Sequence, residues 1–280
     1  MDLRQPHISR RTIAFAVAVA GTVSLAIGAH AALNKRMFDT PKGTVVAGAT
    51  GSIPTGTSRL ALIIGNGHYP DASAPLAQPI NDARTLSSAL RREGFDVDVV
   101  EDATKDDMFR AVERMKAKIR PDTVVMLFFG GYGVQVGRES YMIPVDATIW
   151  KEADVKRTGV SVESVLDAMK ERGAKAKLVV LDASRRNPYE RRFRAFSHGL
   201  APISPPENTI VLSSATPGKV ADDGKGTNSV LVSELLNNLN AQVGAETAFN
   251  KTRVAISRAS EGEQVPSVSS SLLEDIKLGG

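Results

Sequence analysis

The residues able to do nucleophilic or acid–base chemistry fall into a few loops, and one absence governs how they are read. The 280-residue chain has no cysteine and four histidines, which excludes a thiolate nucleophile, a disulfide framework and a cysteine metal site. His7 and His30 belong to the N-terminal stretch, so His68 and His198 remain as candidate bases. The segment Gly65-Asn66-Gly67-His68-Tyr69-Pro70 begins like a dinucleotide fingerprint, but Pro70 replaces the third glycine and a glycine-permitted turn explains it better. Phe129-Gly130-Gly131-Tyr132-Gly133-Val134 sets glycines on both sides of Tyr132, which lets the backbone approach a neighbour closely. In Leu181-Asp182-Ala183-Ser184-Arg185, Ser184 is either a hydroxyl nucleophile or a helix cap. Asp182 is either a charged specificity group or a hydrogen-bonded buried carboxylate. No calcium loop and no His/Asp/Glu spacing specifies a metal, and no cofactor is implied.

Those loops have to be held by strands and helices. Apolar runs rich in β-branched residues occur at Leu60–Ile64, Val97–Val100, Val124–Phe129, Leu178–Leu181 and Ile210–Leu212. Between and after them, helical periodicity covers Asn81–Glu93, Lys105–Ile119 and Val162–Lys170, with two more helices at Ser229–Leu239 and Ala245–Ser260. Continuously apolar strands separated by amphipathic helices predict an α/β domain with a mostly parallel sheet covered on both faces. In such a sheet function collects at the carboxyl ends of the strands, where the Tyr132 and Ser184 loops fall. Residues 59–280 show no internal repeat and no break that demands a second domain.

The N-terminus predicts export. After Arg4, Arg10 and Arg11, the run Thr12–Leu33 carries no Asp, Glu, Lys or Arg and would make roughly 33 Å of hydrophobic helix, enough to span a bilayer. Residues 1–33 therefore read as a retained membrane anchor or a cleaved signal peptide ending near Ala29-His30-Ala31. Residues 34–58, with Pro41, Pro54 and scattered Gly, Ser and Thr, read as a flexible linker. Because the arginines precede the apolar run, both outcomes put the rest of the chain outside the cytoplasm, on the periplasmic side. The formal charge is +4; the N-terminal arginines against Asp2 carry half of it, so the remainder gives no argument for a nucleic-acid partner.

An ordered series of fragments adds a resemblance. Leu60–Asn66, Pro79-Ile80-Asn81-Asp82-Ala83, Gly94-Phe95 with Glu101–Thr104, Gly131–Gln135, Tyr141–Ala147, Leu181–Arg185 with Asn187-Pro188, and Gln264-Val265-Pro266 before Ser269–Leu272 follow one another from Arg59 to Leu278. Together they resemble the caspase-like cysteine peptidases, specifically the bacterial metacaspase or orthocaspase group. The resemblance implies a caspase-like three-layer sandwich around a mostly parallel six-stranded sheet. It also implies a histidine–cysteine dyad, whose positions fall on Tyr132 and Ser184, 52 residues apart. Gly133 and Ser184 would supply the oxyanion amides. Asp82 and Asp182 align with acidic residues that read an Arg or Lys side chain, although Asp82 also suits a helix cap.

A tyrosine with an ordinary pKa near 10 is only about 0.1% ionised at pH 7, and a positioned general base contributes roughly 10²–10⁴-fold. The expected protein is therefore an exported pseudopeptidase that binds a peptide or protein segment bearing Arg or Lys. The alternative is an endopeptidase using Ser184 as nucleophile, with His68 or His198 as base, and a third reading is a membrane-tethered module whose cleft is irrelevant. Arg185, Arg186, Arg191, Arg192 and Arg194 form a basic segment. It reads as a solvated loop, as a basic segment lying near the acidic pocket, or as a contact for anionic headgroups. Oligomeric state is left open by the sequence.

Overall fold

The computed structural model describes residues 58–70, 75–192, 198–221, 224–240 and 242–279, so the predicted leader and all of the linker but Ser58 lie outside the described residues. In chain order the elements are β1 (Arg59–Gly65), α1 (Pro79–Arg92), β2 (Asp96–Glu101), α2 (Lys105–Lys118), β3 (Val124–Gly130), β4 (Gly133–Val136), β5 (Glu139–Met142) and α3 (Glu152–Thr158). They continue as β6 (Val160–Ser161), α4 (Val162–Glu171), β7 (Ala176–Asp182), β8 (Thr209–Ser213), α5 (Val230–Asn238), α6 (Ala245–Ala259) and β9 (Ser267–Ser270). The main sheet has six strands in the order β2-β1-β3-β7-β8-β9. All its pairings are parallel except β8 with β9. The expected α/β class, the mostly parallel six-stranded sheet and the helices on both faces are thus what the chain forms.

Alternation along the central strands divides the core. Leu60, Leu62 and Ile64 of β1, Val125, Leu127 and Phe129 of β3, and Val179 and Leu181 of β7 pack with Met108, Met115, Leu166 and Met169 of α2 and α4. Ile63, Met126, Phe128, Leu178 and Val180 face the other way, onto Leu86 and Leu90 of α1 and onto α5 and α6 through Leu235 and Phe249. Burying a side chain of this size contributes roughly 1.5–3 kcal/mol, so these two layers fasten the helices to both faces of the sheet. Three helix starts are fixed by side chains: Thr104 and Asp107 form a capping box, and Ser161 and Ser229 accept from the amides of Ser164 and Val232.

Three features go beyond the predicted elements. β4, β5 and β6 make a small antiparallel sheet whose strands are too short for a periodic signal. The first hairpin turns at Gly137-Arg138, where Gly137 has φ +66° and a side chain would be strained. α3 is a short helix of 7 residues. β9, Ser267–Ser270, is an edge strand without an apolar run. Among the described residues no helix is long and apolar enough to cross a membrane.

Phe128 is fully buried in β3, whereas Phe109 on α2 is 63% exposed. Phe128→Ala is expected to cost about 3–5 kcal/mol in urea unfolding, and Phe109→Ala to stay within about 0.5 kcal/mol.

Candidate active site

The site is assembled by two neighbouring strands. β3 and β7 run in parallel register to their last pair, Gly130 opposite Asp182. Beyond it the two loops remain hydrogen-bonded: the Gly131 amide donates to the Asp182 carbonyl at 3.2 Å, and the Gly133 amide to the Ala183 carbonyl at 3.0 Å. This stitching is why residues 131 and 133 are glycines. A Cβ on Gly131 would lie 2.5 Å from the Tyr69 hydroxyl, and one on Gly133 would lie 2.7 Å from the Ala183 oxygen. The close backbone approach expected around Tyr132 is therefore present.

Tyr132 sits between β3 and β4 and is 7% exposed. Its ring meets Tyr69 edge-on, with centroids 4.9 Å apart. Its amide donates to the Tyr69 hydroxyl at 3.0 Å, and that hydroxyl donates to the Ile143 carbonyl at 3.0 Å. Burial raises the Tyr132 phenol above its ordinary range, with the Arg185 charge opposing. Ser184 is 1% exposed, and its Oγ has no hydrogen-bond partner. Neither Tyr132, His68 nor His198 hydrogen-bonds to that hydroxyl. Its amide points to the Ser214 hydroxyl at 3.4 Å, and its carbonyl accepts from the Ala221 amide at 2.6 Å. No helix starts at Ser184, because the chain stays irregular until the short turn Glu190–Arg192, so the capping reading of this serine is corrected. The two amides proposed as oxyanion donors, Gly133 and Ser184, already point at protein acceptors.

Asp82 does not cap its own helix either. α1 begins after Gln78 with Pro79 at its first turn, which leaves Asp82 one turn inside and facing the start of α5. Its Oδ1 accepts from the Ser229 amide at 2.9 Å and the Asn228 side-chain amide at 2.8 Å, while Oδ2 has no partner. Burial, then the neighbouring Asp182 charge, pushes the Asp82 carboxyl up to about 6. Asp182 is equally buried, and its Oδ2 lies 3.6 Å from an Arg185 Nη. The loop that supplies Asn228 and Ser229 is pinned to α1 by Asn81, whose amide donates to Asn228 at 3.0 Å, and by Gln78, which donates to the Gly226 carbonyl at 3.2 Å. Tyr132, Gly133, Ser184, Asp82 and Asp182 thus converge on one edge of the sheet.

His68 is not brought in. Its ring nitrogen Nδ1 lies 2.6 Å from Asp102, and its side chain is 74% exposed. Asp102 also accepts from the Gly67 and His68 amides at 2.9 Å each. Burial alone would raise its carboxyl, but these amides and the His68 ring outweigh that and hold it low. A carboxylate of the chain fills the donors that a phosphate would need, so the loop after β1 is a closed turn. The basic segment divides. Arg186 and Arg191 are exposed, Arg192 lies 4.7 Å over the Trp150 ring, and Arg185 is buried; Arg194 lies outside the described residues.

Sequence reasoning missed Asn66 and Tyr69. Asn66 is fully buried. It accepts from the Ala103 amide at 2.8 Å and donates to the Ile143 carbonyl at 3.1 Å, tying β1 to the same hairpin that Tyr69 holds. In the sequence Asn66, Ala103 and Ile143 lie in three separate fragments, and nothing there marks their contact. Among the described residues no group of three His, Asp or Glu is placed to hold a metal ion.

A parallel sheet with catalytic-type loops on adjacent strands β3 and β7, and helices on both faces, defines a caspase-type α/β sandwich. The sequence model of the caspase domain, peptidase family C14, matches residues 58–277, and the chain belongs to that family. It is also 28% identical over 138 residues to the human (Homo sapiens) mucosa-associated lymphoid tissue lymphoma translocation protein 1, covering 49% of this chain and 16% of that protein. The mouse (Mus musculus) homolog is 29% identical over 141 residues, with the same shares.

The raised Asp82 carboxyl has a signed consequence. The folded chain holds this proton up to about pH 6, whereas an unfolded aspartate releases it near 3.9. The resulting stabilisation is complete below the lower value and is lost as pH rises through the upper one. Asp82→Asn keeps an oxygen for Ser229 and Asn228 without the charge. It is expected to match the wild type near pH 4 and to exceed it by about 3 kcal/mol at pH 8 in urea unfolding.

Proposed function

We propose that this caspase-domain protein binds an Arg- or Lys-bearing peptide or protein segment without cleaving it. The observation that carries the reading is the combination of a buried Ser184 hydroxyl with no hydrogen-bond partner and two buried carboxylates that each keep an oxygen without one. A serine attacks a carbonyl only while a base takes its proton, and here no base touches it. Tyr132 is a phenol raised by burial, and the chain has no cysteine to replace the serine. The carboxylates are a different matter. A buried anion with an open acceptor is costly unless a cation reaches it, and guanidinium or ammonium is the group that suits two neighbouring carboxylates. Asp82 and Asp182 are proposed as the residues that read the basic side chain, and Tyr132, Gly133 and Ser184 as the walls of a cleft whose chemistry is dismantled. The apolar run Thr12–Leu33 supports export, with the domain anchored to the inner membrane or released on its periplasmic side.

The experiment is turnover and binding of Arg- and Lys-terminated fluorogenic peptides by the full-length chain. We expect no turnover, binding of basic over neutral peptides, and a loss of about 2–5 kcal/mol of that affinity in Asp182→Asn. Turnover abolished by Ser184→Ala would overturn the reading in favour of a serine endopeptidase. Equal affinity for neutral peptides, or affinity unchanged in Asp182→Asn, would remove the acidic pocket from it.

A further inference from the structure

The chain has one tryptophan, and that residue, Trp150, is 66% exposed. It is nevertheless held in place. Ile149 before it is fully buried, the Trp150 amide donates to Asp154 Oδ2 at 3.1 Å, and the Arg192 guanidinium lies 4.7 Å from the centre of its ring. Arg192 does not depend on the indole, since it also donates to the Ile149 carbonyl and lies 5.6 Å from the centre of the buried Tyr189 ring. The fold thus fixes at its surface a large side chain that its own packing leaves mostly uncovered. An indole has an apolar body and one N–H donor, so it gains most at a boundary that is wet on one side and apolar on the other.

Cations flank it on two sides. Lys151 follows it in the chain, and Arg157 is tied to it through Asp154, which receives the Trp150 amide on one oxygen and the Arg157 guanidinium, at 2.8 Å, on the other. The Arg157 side chain stays 70% exposed. Its carbonyl accepts from Lys105 Nζ at 2.6 Å, which brings in a cation from the start of α2. On the other side Arg191 adjoins Arg192, in a stretch, 186–194, that holds four arginines against Glu190. Lys105, Lys151, Arg157 and Arg191 are all exposed. The acidic residues around them are engaged in structure: Asp154 is buried beneath the bonds just described, Asp146 accepts from the Lys105 amide at 2.9 Å, and Glu152 is half-buried.

We propose that the surface around Trp150 docks this domain on an anionic lipid bilayer, with the indole at headgroup level and Lys105, Lys151, Arg157 and Arg191 on the lipid phosphates. Charge argues for that partner, because exposed cations around a fixed indole match a negatively charged membrane–water boundary. The chain argues for it too. Residues 34–58 join the apolar run Thr12–Leu33 to β1, so a bilayer that holds the run stays within reach of the domain and docking is an intramolecular step. The inference goes beyond the peptide-binding reading and makes no use of Asp82 or Asp182. Docking here sets the segment after β7, which carries Arg191 and Arg192, against the headgroups.

With a single tryptophan in the chain, tryptophan emission reports this position alone. The full-length chain is mixed with excess vesicles of phosphatidylcholine, either alone or with phosphatidylglycerol, containing lipids brominated on their acyl chains. With the anionic vesicles the emission is expected to shift to shorter wavelength and to be quenched, and both changes are expected to reverse at high salt. With the neutral vesicles neither change is expected, even where the chain sediments with them through Thr12–Leu33. The double variant Lys151→Ala/Arg191→Ala, altered only at exposed positions, is expected to lower the ratio of docked to undocked protein about tenfold or more. Emission that is the same with both kinds of vesicle, or a shift that persists undiminished in the double variant, would overturn the proposal. A shift produced by poly-glutamate but not by the anionic vesicles would overturn it in favour of an acidic protein segment.

Discussion

The pairing of β3 with β7, carried past the last residues of both strands, is the constraint on which the rest of the site depends. Two backbone hydrogen bonds, from Gly131 and Gly133 to the carbonyls of Asp182 and Ala183, continue the ladder into the loops. They bring residues far apart in sequence side by side and fix both loops against a rigid sheet. They also commit the Gly133 amide. A donor that already points at a protein carbonyl does not stabilise a developing oxyanion without first breaking that bond. In this structure the Gly133 amide is therefore part of the scaffold that holds the two loops together.

The electrostatic arrangement cannot be understood as stabilisation. Buried carboxylates repay their desolvation only with well-made partners, and here one oxygen of each remains without a hydrogen bond. Asp82 has a structural duty, anchoring the start of α5 through Ser229 and Asn228. A neutral acceptor would serve that duty as well, because only Oδ1 is used. What a neutral residue would not supply is the second negative charge beside Asp182. The arrangement keeps a charge that the anchoring of α5 does not require.

Much of the scaffold was legible because the central strands are uninterrupted apolar runs and the helices are amphipathic. Val124–Gly130 and Ala176–Asp182 are buried along their whole length, so periodicity had nothing to confuse it. The small sheet and β9 were not legible: four-residue strands such as Glu139–Met142 and Ser267–Ser270 are shorter than any window that separates alternation from chance. Capping preferences misled at two positions. Asp82 and Ser184 are good cap residues, but Pro79 claims the first turn of α1 and the chain after Ser184 stays irregular. The direction of Arg185 was illegible for another reason. Arg185 and Arg186 are identical in type, and nothing in the sequence separates the buried one from the exposed one. Tyr69 was hidden in the same way, since nothing in a loop tyrosine announces which amide its hydroxyl will receive.

Tyr132 is held by packing through both its ring and its backbone. Its ring lies edge-on to Tyr69, an arrangement worth about 0.5–1.5 kcal/mol beyond the area it buries. Its amide is held by the same tyrosine's hydroxyl, which is in turn fixed on Ile143. The loop after β3 is thereby locked from both the backbone and the side chain. An imidazole at this position would have to be free to approach residue 184, and a ring committed to Tyr69 is not. The aromatic pair thus makes the loop that carries residue 132 rigid. A peptidase frame made rigid in this way is suited to presenting a fixed pocket, since holding a ligand asks for preorganised charge and shape but not for a proton to be moved.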